Sequence, residues 1–270
     1  MQSQPEHDPA GDGGDRGDGE RDPQFATTLA RGLEILRCFT PDDVLLGNNQ
    51  LAARTRLSRP TVSRFTYTLT QLGYLRTDAD SGKYALGPAV LSLGYPMLAS
   101  IALRQMARPG MAELAAHVRG AVSMGVRDRL NVVYVETSRS RNVLSRQFSD
   151  IGMTHPMIAS AMGHAYIASC TPAVRNGLLN TIRVTMPREW ERHGPALAEN
   201  IERYQQDGFC SSHGEFLPGF FSVGVPMHIA ALRETYMFNC VLPSTSAPTG
   251  RLESDVGPRL VALVRSLQVA

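Results

Sequence analysis

The sequence predicts an α+β fold in two parts: a small N-terminal unit of helices with one hairpin, and a larger unit that interleaves strands and helices. Three observations predict it. At 270 residues the chain is longer than one average domain and long enough for two cores. Apolar residues recur at three- to four-residue spacing through 25–72, a helical signature. Beyond residue 104, β-like runs such as "NVVYVETS" and "FFSVGVPM" alternate with helical stretches.

Residues 1–24 hold seven acids (Glu6, Asp8, Asp12, Asp15, Asp18, Glu20 and Asp22) against Arg16 and Arg21, a balance of −5 in a chain whose total is +2. With "GDGGDRGDGERD" and hardly any apolar side chains, burial there does not compensate ordering entropy, and a disordered acidic tail is expected. The rest of the chain is therefore basic.

In "FATTLARGLEILRCFTPDD" the spacing of Leu29, Leu33, Leu36 and Phe39 predicts one buried helix face, closed by Pro41, Asp42 and Asp43. A short second helix follows in "NNQLAARTRL", with an asparagine to cap it and Leu51, Ala52 and Leu57 turned inward. Ser58 caps a third helix that tolerates Pro60 in its first turn, buries Val62, Phe65, Leu69 and Leu72, and ends at Gly73. "YLRTD" and "KYALG", joined by "ADSG", read as a hairpin. Together, 25–87 form a unit that resembles a winged helix-turn-helix.

Residues 88–104 keep helical spacing despite Pro96 and are assigned as a linker helix; 105–270 form the second domain. There the sequence predicts a helix near 107–119, strands in "AVSMGVRD" and "NVVYVETS", a strand near 143–148 and an Ala-rich helix over 159–169. Two further helices, strands "FFSVGVPM" and "ETYMFNCVLP", and a closing helix with Leu260, Leu263, Val264 and Leu267 inward complete it.

The third helix leaves Arg59, Thr61, Ser63, Arg64, Tyr67 and Thr68 off its apolar stripe. Between Val44 and Thr77 stand five arginines and no acid, a local field that favours phosphate. Such a helix fits a major groove: Arg64 suits guanine acceptors or phosphate, Thr61 and Ser63 suit phosphates or base edges, and Lys83 suits a contact from the hairpin. Arg59, Thr61, Ser63, Arg64, Tyr67 and Lys83 are thus the candidate contacts to double-stranded DNA.

Other classes find little support. No apolar run approaches a membrane span, no secretory leader opens the chain, and the cytoplasm is the expected location. Cys38, Cys170, Cys210 and Cys240 are too scattered for a metal motif, and nothing calls for a cofactor. His155 and His164 lack partners at metal-ligand spacing and are taken as structural. Two rival readings stay open: a Cys210–His213 enzyme, against which stands the absence of an orienting third group, and a winged domain that binds protein instead of DNA.

Residues 25 to about 268 resemble the IclR family of bacterial transcriptional regulators. "RGLEILRCF" is similar to its first helix, "QLAARTRLSRPTVSRFTYTLTQLGYL" to its helix-turn-helix, and "KYALGPAVLSLG" to its wing and linker entry. "HPMIASAMGHAYIAS" and "DGFCSSHGEFLPGFFSVGVPM" are similar to its ligand-domain helix and pocket hairpin. The resemblance implies a homodimer or dimer of dimers on palindromic operator DNA, and a GAF-like C-terminal domain that senses a small-molecule effector, commonly an organic acid. Carried over by position, the implied pocket residues are Ala161, Met162, Ser212, Ser222 and Asn239, with Arg146, His213 and Glu215 as neighbours. The family's glyoxylate- and pyruvate-responsive pattern has an aspartate, a cysteine and a serine where this chain has Ser212, Ser222 and Asn239, a departure from that effector.

Overall fold

The computed structural model describes residues 24–140 and 150–269; all but Gln24 of the expected acidic tail, and the strand expected near 143–148, lie outside them. The chain divides after Met97 into two compact units.

The first unit comprises α1 (Thr27–Arg37), α2 (Asn48–Thr55), α3 (Arg59–Gln71), the hairpin β1 (Leu75–Thr77) and β2 (Tyr84–Leu86), and the start of α4 (Pro88–Ser100). Its core is Ile35, Leu46, Leu51, Val62, Leu69 and Leu75. The face that α1 buries differs from the expected one. Leu29 and Leu33 are exposed, and Ile35 is buried with Leu36 and Phe39 packed around it. The Phe65 ring of α3 lies against Gly32, 3.9 Å from where a Cβ would stand, so α1 rests on the face that carries Gly32, Ile35, Leu36 and Phe39.

Capping of α2 also departs from expectation. Gly47 is the N-cap and its N–H donates to Gln50 Oε1 at 3.0 Å, while Asn48 opens the helix and its amide donates to Ser63 Oγ at 3.2 Å. On α3, Ser58 is the cap as expected, accepting from the Thr61 N–H. Leu72 is exposed at the C-cap instead of buried, and Thr66 takes a core place because its hydroxyl donates to the Val62 carbonyl at 3.0 Å. Gly73 closes α3 in the left-handed region at φ +76°, and an isolated bridge between Leu46 and Tyr84 hooks the hairpin to the segment before α2.

In the second unit, α4 stops at Ser100 and α5 runs from Leu103 to Val118, so the expected continuous linker helix to residue 104 is broken at Ile101 and Ala102. Strands β3 (Ala121–Asp128), β4 (Asn131–Arg139), β5 (Thr154–Pro156), β6 (Cys210–Ser212), β7 (Phe220–Ile229) and β8 (Glu234–Pro243) form an antiparallel sheet in the order β5-β4-β3-β8-β7-β6. α5 and α9 (Gly257–Val269) cover one face through Met111, Leu114, Leu260 and Val264 against Phe238 and Leu242. α6 (Ala161–Ser169), α7 (Pro172–Thr185) and α8 (Pro187–Asp207) cover the other, packing Met162, Ile167, Ile182 and Leu197 on Val132, Tyr134 and Met237. Both faces are thus closed, which makes the observed architecture α+β in the expected sense.

Glu136 is buried on the α5 face, where Arg104 and Arg108 meet its Oε2 at 3.1 and 2.9 Å. Two glycines fix α6 above the sheet. A Cβ on Gly224 would stand 2.3 Å from the Ala161 carbonyl oxygen, and one on Gly163 would stand 2.2 Å from that of Met157. The first turn of α6 therefore lies directly on β7.

Candidate functional site

In the first unit α3 presents a hydrophilic face. Arg59, Ser63, Arg64 and Tyr67 are exposed and Thr61 is half-buried. The guanidiniums of Arg59 and Arg64 have no hydrogen-bond or ion-pair partner among the described residues. Thr61 and Ser63 have local duties as well: the Thr61 hydroxyl lies 2.8 Å from Ser58 Oγ, and Ser63 Oγ accepts from Asn48. Lys83 is exposed on the hairpin, where Asp78 holds the turn by accepting from Ser81 N and Oγ at 2.9 and 2.6 Å. The Ser81 hydrogen bonds hold the Asp78 carboxyl below its usual range.

The five-arginine field is weaker than the sequence implies. Arg54 is paired with Asp43 at 2.9 Å, an acid one residue outside the acid-free window, and it also donates to the Cys38 carbonyl. Arg56 adopts the left-handed conformation, φ +56°, as the C-cap of α2. Its side chain stays exposed, so the available cations are Arg56 at the end of α2 and those on α3 and the hairpin.

In the second unit a cavity of about 190 Å³ opens beside the α6 N-terminus, over β8, β7 and β6. Of the residues carried over by position, Ala161, Ser212, Ser222 and Asn239 line it. Met162 does not: it is buried in the core beneath α6. His213 points elsewhere, meeting Glu253 at 3.4 Å and the Phe221 ring edge-on at 5.3 Å, in a separate open groove. Glu215 stands just behind the wall, accepting from Ser212 Oγ at 2.6 Å and His213 N at 2.7 Å. Burial pushes the Glu215 carboxyl up, but these hydrogen bonds outweigh it and hold the group below its ordinary value. Arg146 lies outside the described residues.

Sequence reasoning missed the aromatic part of this wall. Tyr134, His155, Phe216 and Phe220 line the cavity, with His155 edge-on to Tyr134 at 5.2 Å and to Phe216 at 5.1 Å. His155 was expected to be structural; burial lowers its pKa, which keeps a neutral ring against the cavity. Strand alternation carried part of the signal, since Val241 shares the face of Asn239 two residues before it. Nothing local marks Phe216 or His155 as neighbours.

Polar atoms in the wall are few and defined. Asn239 is buried; its Nδ2 donates to the Tyr134 hydroxyl at 3.0 Å, and its Oδ1 has no hydrogen-bond partner among the described residues. Ser160 caps α6 through Gly163 N at 3.1 Å, leaving the N–H groups of Ala161 and Met162 without intrahelical acceptors. A partly enclosed, largely apolar space with a few oriented polar atoms is a ligand site in form.

The Cys210–His213 arrangement is not a catalytic pair. Cys210 is buried, burial raises its pKa, and its thiol donates weakly to the Asn200 carbonyl at 3.8 Å, while His213 pairs with Glu253. Among the described residues no three His, Cys, Asp or Glu side chains gather as for a metal ion, and no helix is long and apolar enough to cross a membrane.

Comparison with known proteins joins the two sites. Residues 28–79 match the model of the IclR helix-turn-helix domain, and residues 96–267 match that of the bacterial transcriptional regulator IclR C-terminal domain. The chain is 33% identical over 242 residues to the HTH-type transcriptional regulator TsaQ1/TsaQ2 of Comamonas testosteroni, covering 89% of this chain and 87% of that protein. It is 27% identical to the Pca regulon regulatory protein of Pseudomonas putida, covering 91% and 84%. The crystal structure of an IclR family transcriptional regulator from Brucella abortus superposes with a TM-score of 0.80 at 40% identity, covering 92% of this chain and 94% of that one. A helix-turn-helix domain and an effector-binding domain in one chain, matched along nearly its whole length by regulators, make this protein a member of the IclR family of bacterial transcriptional regulators.

Proposed function

We propose that the protein binds palindromic operator DNA as a homodimer or dimer of dimers, through α3 and the hairpin, and that a small organic acid in the cavity beside α6 alters that binding to control a catabolic operon in the cytoplasm. The observation that carries the reading is the combination, in one chain, of an α3 face whose Arg59 and Arg64 are unpaired among the described residues and a cavity of about 190 Å³ whose wall holds an Asn239 carbonyl with no partner among them. The acid's carboxylate is taken by the free N–H groups of the α6 first turn and by Ser222. Two-fold assembly is supported by apolar side chains that the first unit leaves exposed: Phe25, Leu29 and Leu33 by α1, Leu91 and Tyr95 on α4. Regulation then follows from a difference in the ligand's affinity for two dimer arrangements.

The test is a salt-titrated binding assay of the full chain on its own upstream DNA, repeated with aromatic, keto and sugar acids. Specific binding that weakens steeply with salt, and that one acid class shifts, is the expected result. Salt-insensitive association, or binding that no acid changes, would overturn the DNA or the effector half respectively.

A further inference from the structure

The hydroxyls of α3 do not all spend their hydrogens in the same way. Thr66, Thr68 and Thr70 donate to the carbonyls of Val62, Arg64 and Thr66, one turn back, at 3.0, 3.0 and 2.7 Å. The Thr61 hydroxyl lies against Ser58 Oγ in the helix cap. Ser63 is held from another helix: the side-chain amide of Asn48, in the first turn of α2, donates to its Oγ at 3.2 Å. The Ser63 hydroxyl hydrogen has no acceptor among the described residues and the side chain is exposed, so that hydrogen is left for a group outside the chain.

Asn48 itself is not placed to read a base. Its Oδ1 is wholly buried and without a partner among the described residues, so the two-point pairing by which an asparagine recognises adenine is closed to it. Its amide instead fixes the polarity of its neighbour. The start of α2 also touches the hairpin: a Cβ on Gly47, the cap of α2, would stand 3.8 Å from Lys83 Cγ. Asn48 therefore sits where the α3 face and the hairpin, the two carriers of candidate DNA contacts, come together.

We infer that Asn48 is a positioning residue for DNA recognition. By donating to Ser63 Oγ it makes the serine an outward hydrogen-bond donor, which selects guanine or thymine, whose major-groove edges present acceptors, over cytosine, whose edge presents a donor. This rests on the reading of α3 as the recognition helix, and it places sequence preference in a residue that does not itself meet the DNA.

Selection of bound duplexes from a random-sequence pool by the full chain, followed by titration of the selected duplex and its single-base variants, tests it. The unaltered chain is expected to prefer guanine or thymine over cytosine at one position by about two- to tenfold. Ser63→Ala and Asn48→Ala are each expected to bring that ratio close to one at the same position, the double variant to match them, and preferences elsewhere to persist. Asn48→Asp, whose carboxylate accepts the Ser63 hydrogen and leaves only lone pairs outward, is expected to turn the preference toward cytosine or adenine. A residue that merely braced α2 against α3 would not reverse a base preference. Asn48→Ala that weakens binding to every sequence alike, Ser63→Ala that leaves every preference unchanged, or an Asn48→Asp selection identical to that of the unaltered chain would overturn the inference while leaving DNA binding in place. A chain that selects no sequence at all would overturn the DNA reading and the inference together. Thermal melting reports whether Asn48→Ala folds; if it does not, Ser63→Ala and Asn48→Asp decide.

Discussion

His164 donates from Nε2 to the Ile158 carbonyl at 2.6 Å and accepts the Asn200 side-chain amide at Nδ1, 3.1 Å away, so both nitrogens of the buried ring are engaged in its neutral form. Asn200 in turn accepts from Ser211 N at 2.8 Å, which ties α6, α8 and β6 together. Burial pushes the His164 pKa down from 6.5 to about 4. Because the folded value lies below the unfolded one, its contribution is fully present above pH 6.5 and declines as the pH falls toward 4, by about 3 kcal/mol in all. Urea unfolding at pH 7.5 and pH 4.5 should show this loss, and His164→Gln should remove much of it. An unchanged pH dependence in that variant would exclude His164 as the source.

Glu136 is the buried anion for two arginines, Arg104 and Arg108. Replacing it by Leu leaves Arg104, whose side chain is 13% exposed, without its counter-charge, and should lower unfolding stability by about 3–5 kcal/mol. Glu136→Leu together with Arg104→Met should recover a large part of that loss in a double-mutant cycle, because two apolar groups replace the pair.

Two arginines of the helix-turn-helix should behave oppositely. Arg54 is held by Asp43 and the Cys38 carbonyl, so Arg54→Ala should lower the melting temperature. Arg64, exposed and unpaired among the described residues, should leave melting unchanged when replaced by Ala. That variant should weaken operator binding and flatten the salt dependence by about one counterion if the contact is to phosphate. Unchanged operator affinity in Arg64→Ala would dismiss α3 as the recognition helix.

Gly224→Ala brings a methyl group against the Ala161 carbonyl at 2.3 Å and should lift the first turn of α6 from β7, with a stability loss of about 1–3 kcal/mol and a weakened response to effector. Ser222→Leu fills the cavity from its floor and should abolish the effector response while operator binding persists. A normal response in Ser222→Leu would mean that the effector sits elsewhere.

The elements were largely legible in the sequence because their signals are local. Ser58 followed by Pro60, the apolar β-like runs in 121–128 and 234–243, and the left-handed Gly73 each act over a few residues. The inner side of α1 was not legible, since Leu29–Leu33 and Ile35 offer two apolar sides and only the neighbouring Phe65 selects between them. In the second unit, Ser212, Ser222 and Asn239 were placed by resemblance, and the structure brings them to one cavity. The aromatic wall escaped notice because His155 and Phe216 are far apart in sequence and meet only once the sheet has formed. Met162 looked like a wall residue for the complementary reason: a helix start names adjacent residues, but one turns to the cavity and the next to the core.

His155 belongs to β5 and Ser212 to β6, the two outermost strands of the sheet, yet both border the same cavity, and Phe216, four residues past Ser212, touches the His155 ring. The sheet is therefore curled until its margins nearly meet, a barrel left with one seam. Strand margins three residues long are the first places such a sheet frays. Any molecule seated there spans the seam like a clasp, so occupancy should register as slowed amide hydrogen exchange at Cys210–Ser212 and at Thr154 and His155 together, even where no atom of the ligand bonds to either backbone.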